Sequence, residues 1–352
     1  MSKEHQHNIT AITSYKDFTI TASGSPSVLT VWRRGKLVHA FYGHTGKVNS
    51  LMMLGQHLLS VGSGPNRTLR LWDMKEFAPA GTLPPFEGSF SPTCMIHPNT
   101  YLNKILIGGE SGELQLWNIQ SKKLIYSFKG WDSKVTSLAQ SPAVDVIAIA
   151  LADGTVKLHN IRADETIFSV KMGNGNVAVT SVTFRTDGRP IMATGGSNGT
   201  VALWNLERKG ELLGIIGSAH EAPVSSLAFL EGEPILISAA ADNSVKMWIF
   251  DNGSDPGFAR LLRSRAGHSK PSTKIAYYGD DGRYLISAGQ DRSLRSFNVV
   301  RDQQMIEFSQ GKGILKKAKK FHKATEQMKL SNIVDFSSCK YYLIFYEFFR
   351  IF

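Results

Sequence analysis

The stretch Ile235-Leu236-Ile237-Ser238-Ala239-Ala240-Ala241-Asp242-Asn243-Ser244-Val245-Lys246-Met247-Trp248 decides the fold. It opens on an apolar run. Asp242-Asn243-Ser244 is turn chemistry, and Val245 to Trp248 alternates apolar and polar. That order predicts strand, turn, strand. The dipeptide Ala219-His220 places a histidine 28 residues before the tryptophan.

The same pattern recurs along the chain. An apolar residue or serine followed by a ring occurs at Val31-Trp32, Leu71-Trp72, Leu116-Trp117, Leu158-His159, Leu203-Trp204, Met247-Trp248 and Ser296-Phe297. The ring-to-ring spacings are 40, 45, 42, 45, 44 and 49 residues. His44 stands 28 before Trp72, His268 stands 29 before Phe297, and Trp131 fills the histidine slot 28 before His159. Six residues before the ring lies an acid or amide at Asp153, Asp242 and Asp291, with weaker versions at Asn66 and Asn198; Ser111 and Pro26 depart. Asp153-Gly154 and Asn198-Gly199 predict two-residue hairpins.

Three markers in phase, at a period of about 40–45 residues, are the signature of WD40 repeats, four strands to a blade. The fold class is therefore all-β, a seven-bladed WD40 β-propeller with a basic C-terminal tail. Residues 1–7 are expected to be a disordered N-terminus and 8–308 the propeller. Residues 309–336 are expected to be a basic linker or tail, and 337–352 an aberrant aromatic C-terminus. No stretch before residue 309 reads as a helix.

Ser238, His220 and Asp242 invite a hydrolase reading. Two observations oppose it. Ser287, His268 and Asp291 repeat the set one blade on, whereas a nucleophile sits in one place; and no Gly-x-Ser-x-Gly elbow accompanies either serine. A structural tetrad of Asp242, His220, Ser238 and Trp248, hydrogen-bonded from the turn carboxylate to the indole, accounts for the same residues. At Phe297 the last link must be missing. No enzyme activity, cofactor or small-molecule substrate is expected. Two cysteines, Cys94 and Cys339, and ten scattered histidines give no metal-ligand pattern.

Composition sets outer bounds. The chain has 352 residues, 42% hydrophobic and 20% charged, as in folded globular proteins. No apolar run is long enough for a membrane helix, and the N-terminus shows no signal core. The formal net charge is +11. Its excess is concentrated in residues 309–330, which hold seven lysines against Glu326.

Several segments between the repeat markers are more particular. They include His97-Pro98-Asn99-Thr100-Tyr101-Leu102-Asn103-Lys104-Ile105-Leu106, Ser141-Pro142-Ala143-Val144-Asp145-Val146, Phe184-Arg185-Thr186-Asp187-Gly188 and Arg260-Leu261-Leu262-Arg263-Ser264-Arg265-Ala266-Gly267-His268. With these the chain resembles the Utp twenty-one family, the tandem WD40-propeller subunit of the small-subunit processome, over roughly residues 8–336. The resemblance implies a non-catalytic scaffold in ribosome biogenesis. It would support processome assembly and 18S pre-rRNA processing in the nucleolus of the nucleus. The implied partners are other WD40-propeller subunits and the U three snoRNA/pre-rRNA particle, reached directly or through partners, with no membrane. The family's chain continues into a second propeller and a helical domain. The rival reading is a WD40 adaptor unrelated to RNA, such as a ubiquitin-ligase receptor or signalling scaffold.

Lys316, Lys317, Lys319, Lys320 and Lys323 read as a linker with a nuclear import signal, or as phosphate contacts to RNA. Arg263 and Arg265 lie two apart on a predicted outer strand and share a face. They would meet RNA or an acidic partner, or simply discourage edge pairing. Residues 341–352 hold seven aromatics. That end is expected to be translated non-coding sequence rather than a functional domain.

Overall fold

The computed structural model describes residues 8–24, 27–64, 67–86, 88–173, 177–250, 259–278, 284–298 and 304–309, the last as backbone alone. The expectations for residues 1–7, the lysine-rich tail and the aromatic end lie outside them. So do the turn positions Pro26 and Asn66.

Among the described residues, twenty-eight strands form seven sheets, each of four consecutive strands. Blade one holds β1 (Ile9–Tyr15), β2 (Phe18–Ser23), β3 (Val28–Arg33) and β4 (Lys36–Tyr42). Blade two holds β5 (Val48–Leu54), β6 (His57–Gly62), β7 (Leu69–Asp73) and β8 (Ala78–Thr82). Blade three holds β9 (Pro92–Ile96), β10 (Lys104–Gly109), β11 (Leu114–Asn118) and β12 (Lys123–Phe128). Blade four holds β13 (Val135–Gln140), β14 (Val146–Leu151), β15 (Thr155–Asn160) and β16 (Glu165–Lys171). Blade five holds β17 (Val179–Phe184), β18 (Ile191–Gly196), β19 (Val201–Asn205) and β20 (Glu211–Ile216). Blade six holds β21 (Val224–Phe229), β22 (Ile235–Ala240), β23 (Ser244–Phe250) and β24 (Ala259–Ala266). Blade seven holds β25 (Ser272–Tyr278), β26 (Tyr284–Gly289), β27 (Ser293–Asn298) and β28 (Gln304–Ser309). No helix occurs among the described residues.

The first strand of each blade contacts the first strands of its neighbours, and β25 contacts β1, so the ring closes. Ile9 and Ile12 pack on Ile286, Ala288 and Leu294 across that seam. Ser14 donates its hydroxyl proton to the Tyr277 carbonyl there. Because every blade is built from consecutive strands, side-chain packing rather than strand exchange joins blade one to blade seven.

Burial grades outward across each sheet. The second strands are buried on both faces, as in β10, β18 and β22. That is why they read as unbroken runs of apolar and small residues. The fourth strands, such as β12 and β16, are mostly exposed. Each fully buried Ile or Leu contributes about 1.5–3 kcal/mol relative to exposure, and the core is a set of such clusters between adjacent blades.

Two bulges recur. The pairing of the third and fourth strands shifts between Leu71 and Trp72, Leu116 and Trp117, Leu158 and His159, Leu203 and Trp204, and Met247 and Trp248. The ring slot is thus a bulge, which re-aims the ring and increases the local twist. A second bulge sits near the start of each innermost strand, for example between Val135 and Ser137 and between Val179 and Ser181.

The hairpins at Asp153 and Asn198 differ from the two-residue expectation. Gly196 N bonds Thr200 O at 2.9 Å and Gly199 N bonds Gly196 O at 3.1 Å, leaving three residues in the loop. This is a turn closed by a left-handed residue. At Gly199, with φ of 82°, a Cβ would also lie 2.2 Å from the His220 carbonyl oxygen, so glycine is required twice over. Asn243 and Arg292 take the same left-handed place in blades six and seven.

Candidate functional site

The structure brings Asp242, His220, Ser238 and Trp248 into one chain of hydrogen bonds. Trp248 Nε1 donates to Ser238 Oγ at 2.9 Å. Ser238 Oγ lies 2.7 Å from His220 Nε2, and His220 Nδ1 lies 2.9 Å from Asp242 Oδ2. The set is satisfied by a neutral imidazole protonated on Nδ1, with the Ser238 hydroxyl donating to Nε2. Burial pushes His220 below its ordinary pKa, against the pull of Asp242. Burial pushes Asp242 up, but hydrogen bonds from Ser244 and His220 outweigh it and hold the carboxyl below its ordinary range. Ser238 is 0% exposed. A hydroxyl so enclosed, already accepting from an indole, has no path to a substrate.

The other blades vary the theme. In blade two, Trp72 Nε1 donates to Ser60 Oγ at 2.8 Å, and His44 Nε2 lies 2.7 Å from the same oxygen. In blade seven, His268 joins Asp291 at 3.1 Å and Ser287 at 2.7 Å, while Phe297 supplies no indole. In blade five, Trp204 donates to Thr194 Oγ1 at 2.9 Å. Blades three and four place Ile107 and Ile149 ten residues before the ring, where blade six has Ser238. Trp117 turns instead to Gln115 Oε1 at 2.9 Å. His159 lies 3.2 Å from Thr166 Oγ1 and 3.1 Å from Asp164 Oδ1.

The acid or amide six before the ring works as a turn former. Asp242 Oδ1 accepts from Ser244 N at 3.0 Å, Asp153 Oδ1 from Thr155 N at 2.9 Å, and Asp291 Oδ1 from Ser293 N at 3.1 Å. Two further devices escape the sequence markers. The Asp or Asn after the ring caps the next turn: Asp73 Oδ1 accepts from Lys75 N and Glu76 N at 2.7 and 3.1 Å, and Asn160 and Asn205 repeat the pair of bonds. The bulged residue of the innermost strand reaches the next blade. Thr10 donates to Val48 O at 2.7 Å, Asn49 to Pro92 O at 2.8 Å, Thr93 to Val135 O at 2.6 Å, Thr136 to Val179 O at 2.5 Å and Thr180 to Val224 O at 2.5 Å. The recurrent apolar-Thr start of these strands is the signal that could have revealed this belt.

Of the candidate contact residues, Arg263 and Arg265 share a face of the outer strand β24 and are half-buried. The Arg265 guanidinium lies over the Phe297 ring of blade seven at 5.4 Å, so that face packs against the next blade. Lys316, Lys317, Lys319, Lys320 and Lys323 fall outside the described residues. Exposed apolar side chains occur on several outer strands: Val38 and Tyr42 of blade one, and Ile125, Ile167, Leu212, Ile215 and Leu261 of blades three to six. Among the described residues no group of His, Cys, Asp and Glu is placed to hold a metal ion.

Residues 1–251 match the model of the WDR36/Utp21 first β-propeller. This chain belongs to the WDR36/Utp21 family. Residues 259–298 of this WDR36/Utp21 member match the WD domain, G-beta repeat. It is 40% identical over 309 residues to human WD repeat-containing protein 36, a match covering 87% of this chain and 34% of that protein. It is 35% identical over 347 residues to the U3 small nucleolar RNA-associated protein 21 homolog of Schizosaccharomyces pombe, covering 96% of this chain and 37% of that one. The chain thus spans about a third of the length of these curated relatives. A crystal structure of the computationally designed Ika8 protein resembles it with a TM-score of 0.64 at 23% identity, over 87% of this chain and 88% of that one. That likeness concerns the propeller fold alone.

Proposed function

We propose that this WDR36/Utp21 propeller is a non-catalytic scaffold in ribosome biogenesis. In that role it helps build the small-subunit processome around U3 small nucleolar RNA and supports 18S pre-rRNA processing. The observation that carries the reading is the match of residues 1–251 to the family's first propeller, together with a relative whose name records association with U3 small nucleolar RNA. The geometry agrees. The polar side chains that could suggest catalysis are spent inside the blades, and the exposed apolar side chains on the outer strands of blade one and blades three to six are what a subunit packed among others presents. Its partners in this reading are other propeller subunits of the same particle, in the nucleolus. The lysine-rich segment 316–323 serves as a linker with an import signal.

Depletion of the protein in its own cells tests this. The expected result is accumulated unprocessed small-subunit precursor and reduced 18S rRNA, with large-subunit rRNA maintained. Unchanged precursor levels after complete depletion would overturn the reading.

A further inference from the structure

The seven innermost strands carry one charged side chain among them. β1, β5, β9, β13, β17 and β21 contain no Lys, Arg, Asp or Glu, and β25 contains Lys274 alone. Lys274 is the third residue of its strand, directly after the bulged Thr273. At that position the other six strands hold Ala11, Ser50, Cys94, Ser137, Ser181 and Ser226. All six are small, so Lys274 is the one long side chain at that level; five of the six are buried and Ser137 is half-buried.

Its side chain is exposed although its neighbours Ser272 and Ile275 are buried. Burial raises the pKa of Cys94 on blade three, and the charge of Lys274 works against it from blade seven. An exposed side chain on an innermost strand that reaches towards the far blades lies in the central channel. Among the described residues its ammonium makes no hydrogen bond or ion pair. Protein surrounds it closely enough that burial lowers its pKa, Cys94 pulling the other way.

An ammonium on the wall of a channel, with no carboxylate on any innermost strand, is a cation without a counter-charge among the described residues. We propose that the central channel binds one phosphate-type oxyanion, with Lys274 as its counter-charge and serine hydroxyls at the same level as donors. Ser181 already accepts from Leu227 N at 3.0 Å. Ser137, half-buried, is therefore the hydroxyl assigned first to the anion, with Ser50 and Ser226, each 6% exposed, behind it. A tetrahedral oxyanion suits this setting, because it offers several acceptors to one point charge and a circle of neutral donors.

The test uses the full wild-type chain and inorganic phosphate, at fixed pH and ionic strength against chloride. Acetylation of each lysine is followed by peptide mass spectrometry. Phosphate is expected to slow acetylation of Lys274 by about tenfold or more, while Lys270, on the adjoining loop, keeps its rate. Phosphate should also raise Tm in the wild type and not in Lys274→Met. If Lys274 is acetylated equally fast in phosphate and chloride, the channel holds only a hydrated lysine and the proposal fails. The acetylation result stands without the variant, should Lys274→Met not fold.

Discussion

Trp131 and His159 have exchanged places in blade four. The indole occupies the histidine slot and the imidazole the tryptophan slot, with the rings 5.4 Å apart and edge-on. Blade four offers an indole N–H no acceptor: Ile149 stands where blade six has Ser238, and Lys157 stands where blade three has Gln115. A ring nitrogen at position 159 must look elsewhere, and His159 finds Thr166 and Asp164.

His159→Trp is therefore expected to destabilise the ring by about 2–3 kcal/mol, through overpacking against Phe128 and Trp131 and a buried indole N–H without a partner. Adding Ile149→Ser should recover part of the loss, as a coupling of about 1 kcal/mol in a double-mutant cycle. Chemical denaturation of the four proteins measures it. Strict additivity would show that the hydroxyl and the indole do not meet.

In blade six the ring and its hydrogen bond separate. Trp248→Ala should cost about 3–5 kcal/mol, because a side chain only 6% exposed is removed. Trp248→Phe should cost about 1–2 kcal/mol, since blade seven already accommodates Phe297 in the slot and only the bond to Ser238 and some ring area are lost. Equal costs for the two variants in urea denaturation would contradict the tetrad's role.

Much of this was legible in the sequence. Rings at a fixed period, histidines 28 before them and turn acids six before them specify seven blades and the tetrad, because each marks a backbone event that recurs. The hairpin size was misread. An Asp-Gly pair signals a left-handed residue, but only the carbonyl of Gly196 shows that the turn precedes it and the loop holds three residues. Arg263 and Arg265 share a face, as alternation requires. Which neighbour that face meets depends on the stacking of blades six and seven, and strand periodicity is silent on it.

The belt of inter-blade hydrogen bonds gives a third expectation. Thr136→Val keeps shape and volume but removes the donor to Val179 O, 2.5 Å away. A loss of about 1 kcal/mol is expected, with faster amide exchange in β13 and β17 than elsewhere. Unchanged stability and exchange would remove the belt from the account of how blades four and five adhere.

Acid should weaken the ring in a defined window. His44 is brought from 6.5 down to about 4 by burial and by the charge of Arg70. A histidine with a lowered folded pKa takes up its proton more readily unfolded. Stability is therefore full above about pH 6.5 and falls as pH drops towards 4. His220, lowered mainly by burial, adds in the same direction. Below that, Asp242 with its lowered pKa loses its contribution as it protonates. Tm measured from pH 7.5 to 4.5 should decline, and His44→Gln should flatten the slope. A flat profile in the wild type would refute the neutral, buried imidazole.

The central proposal is that this propeller works in the particle built on U3 small nucleolar RNA. The most direct measurement is affinity purification of the tagged chain from nucleolar extract, with the co-purifying RNA quantified against an unrelated propeller. The account predicts strong enrichment of U3 small nucleolar RNA together with other propeller subunits, lost when surface charges replace Ile125, Ile167 and Leu212 on the outer strands. A folded, nucleolar chain that recovers no more U3 RNA than the unrelated propeller would contradict it.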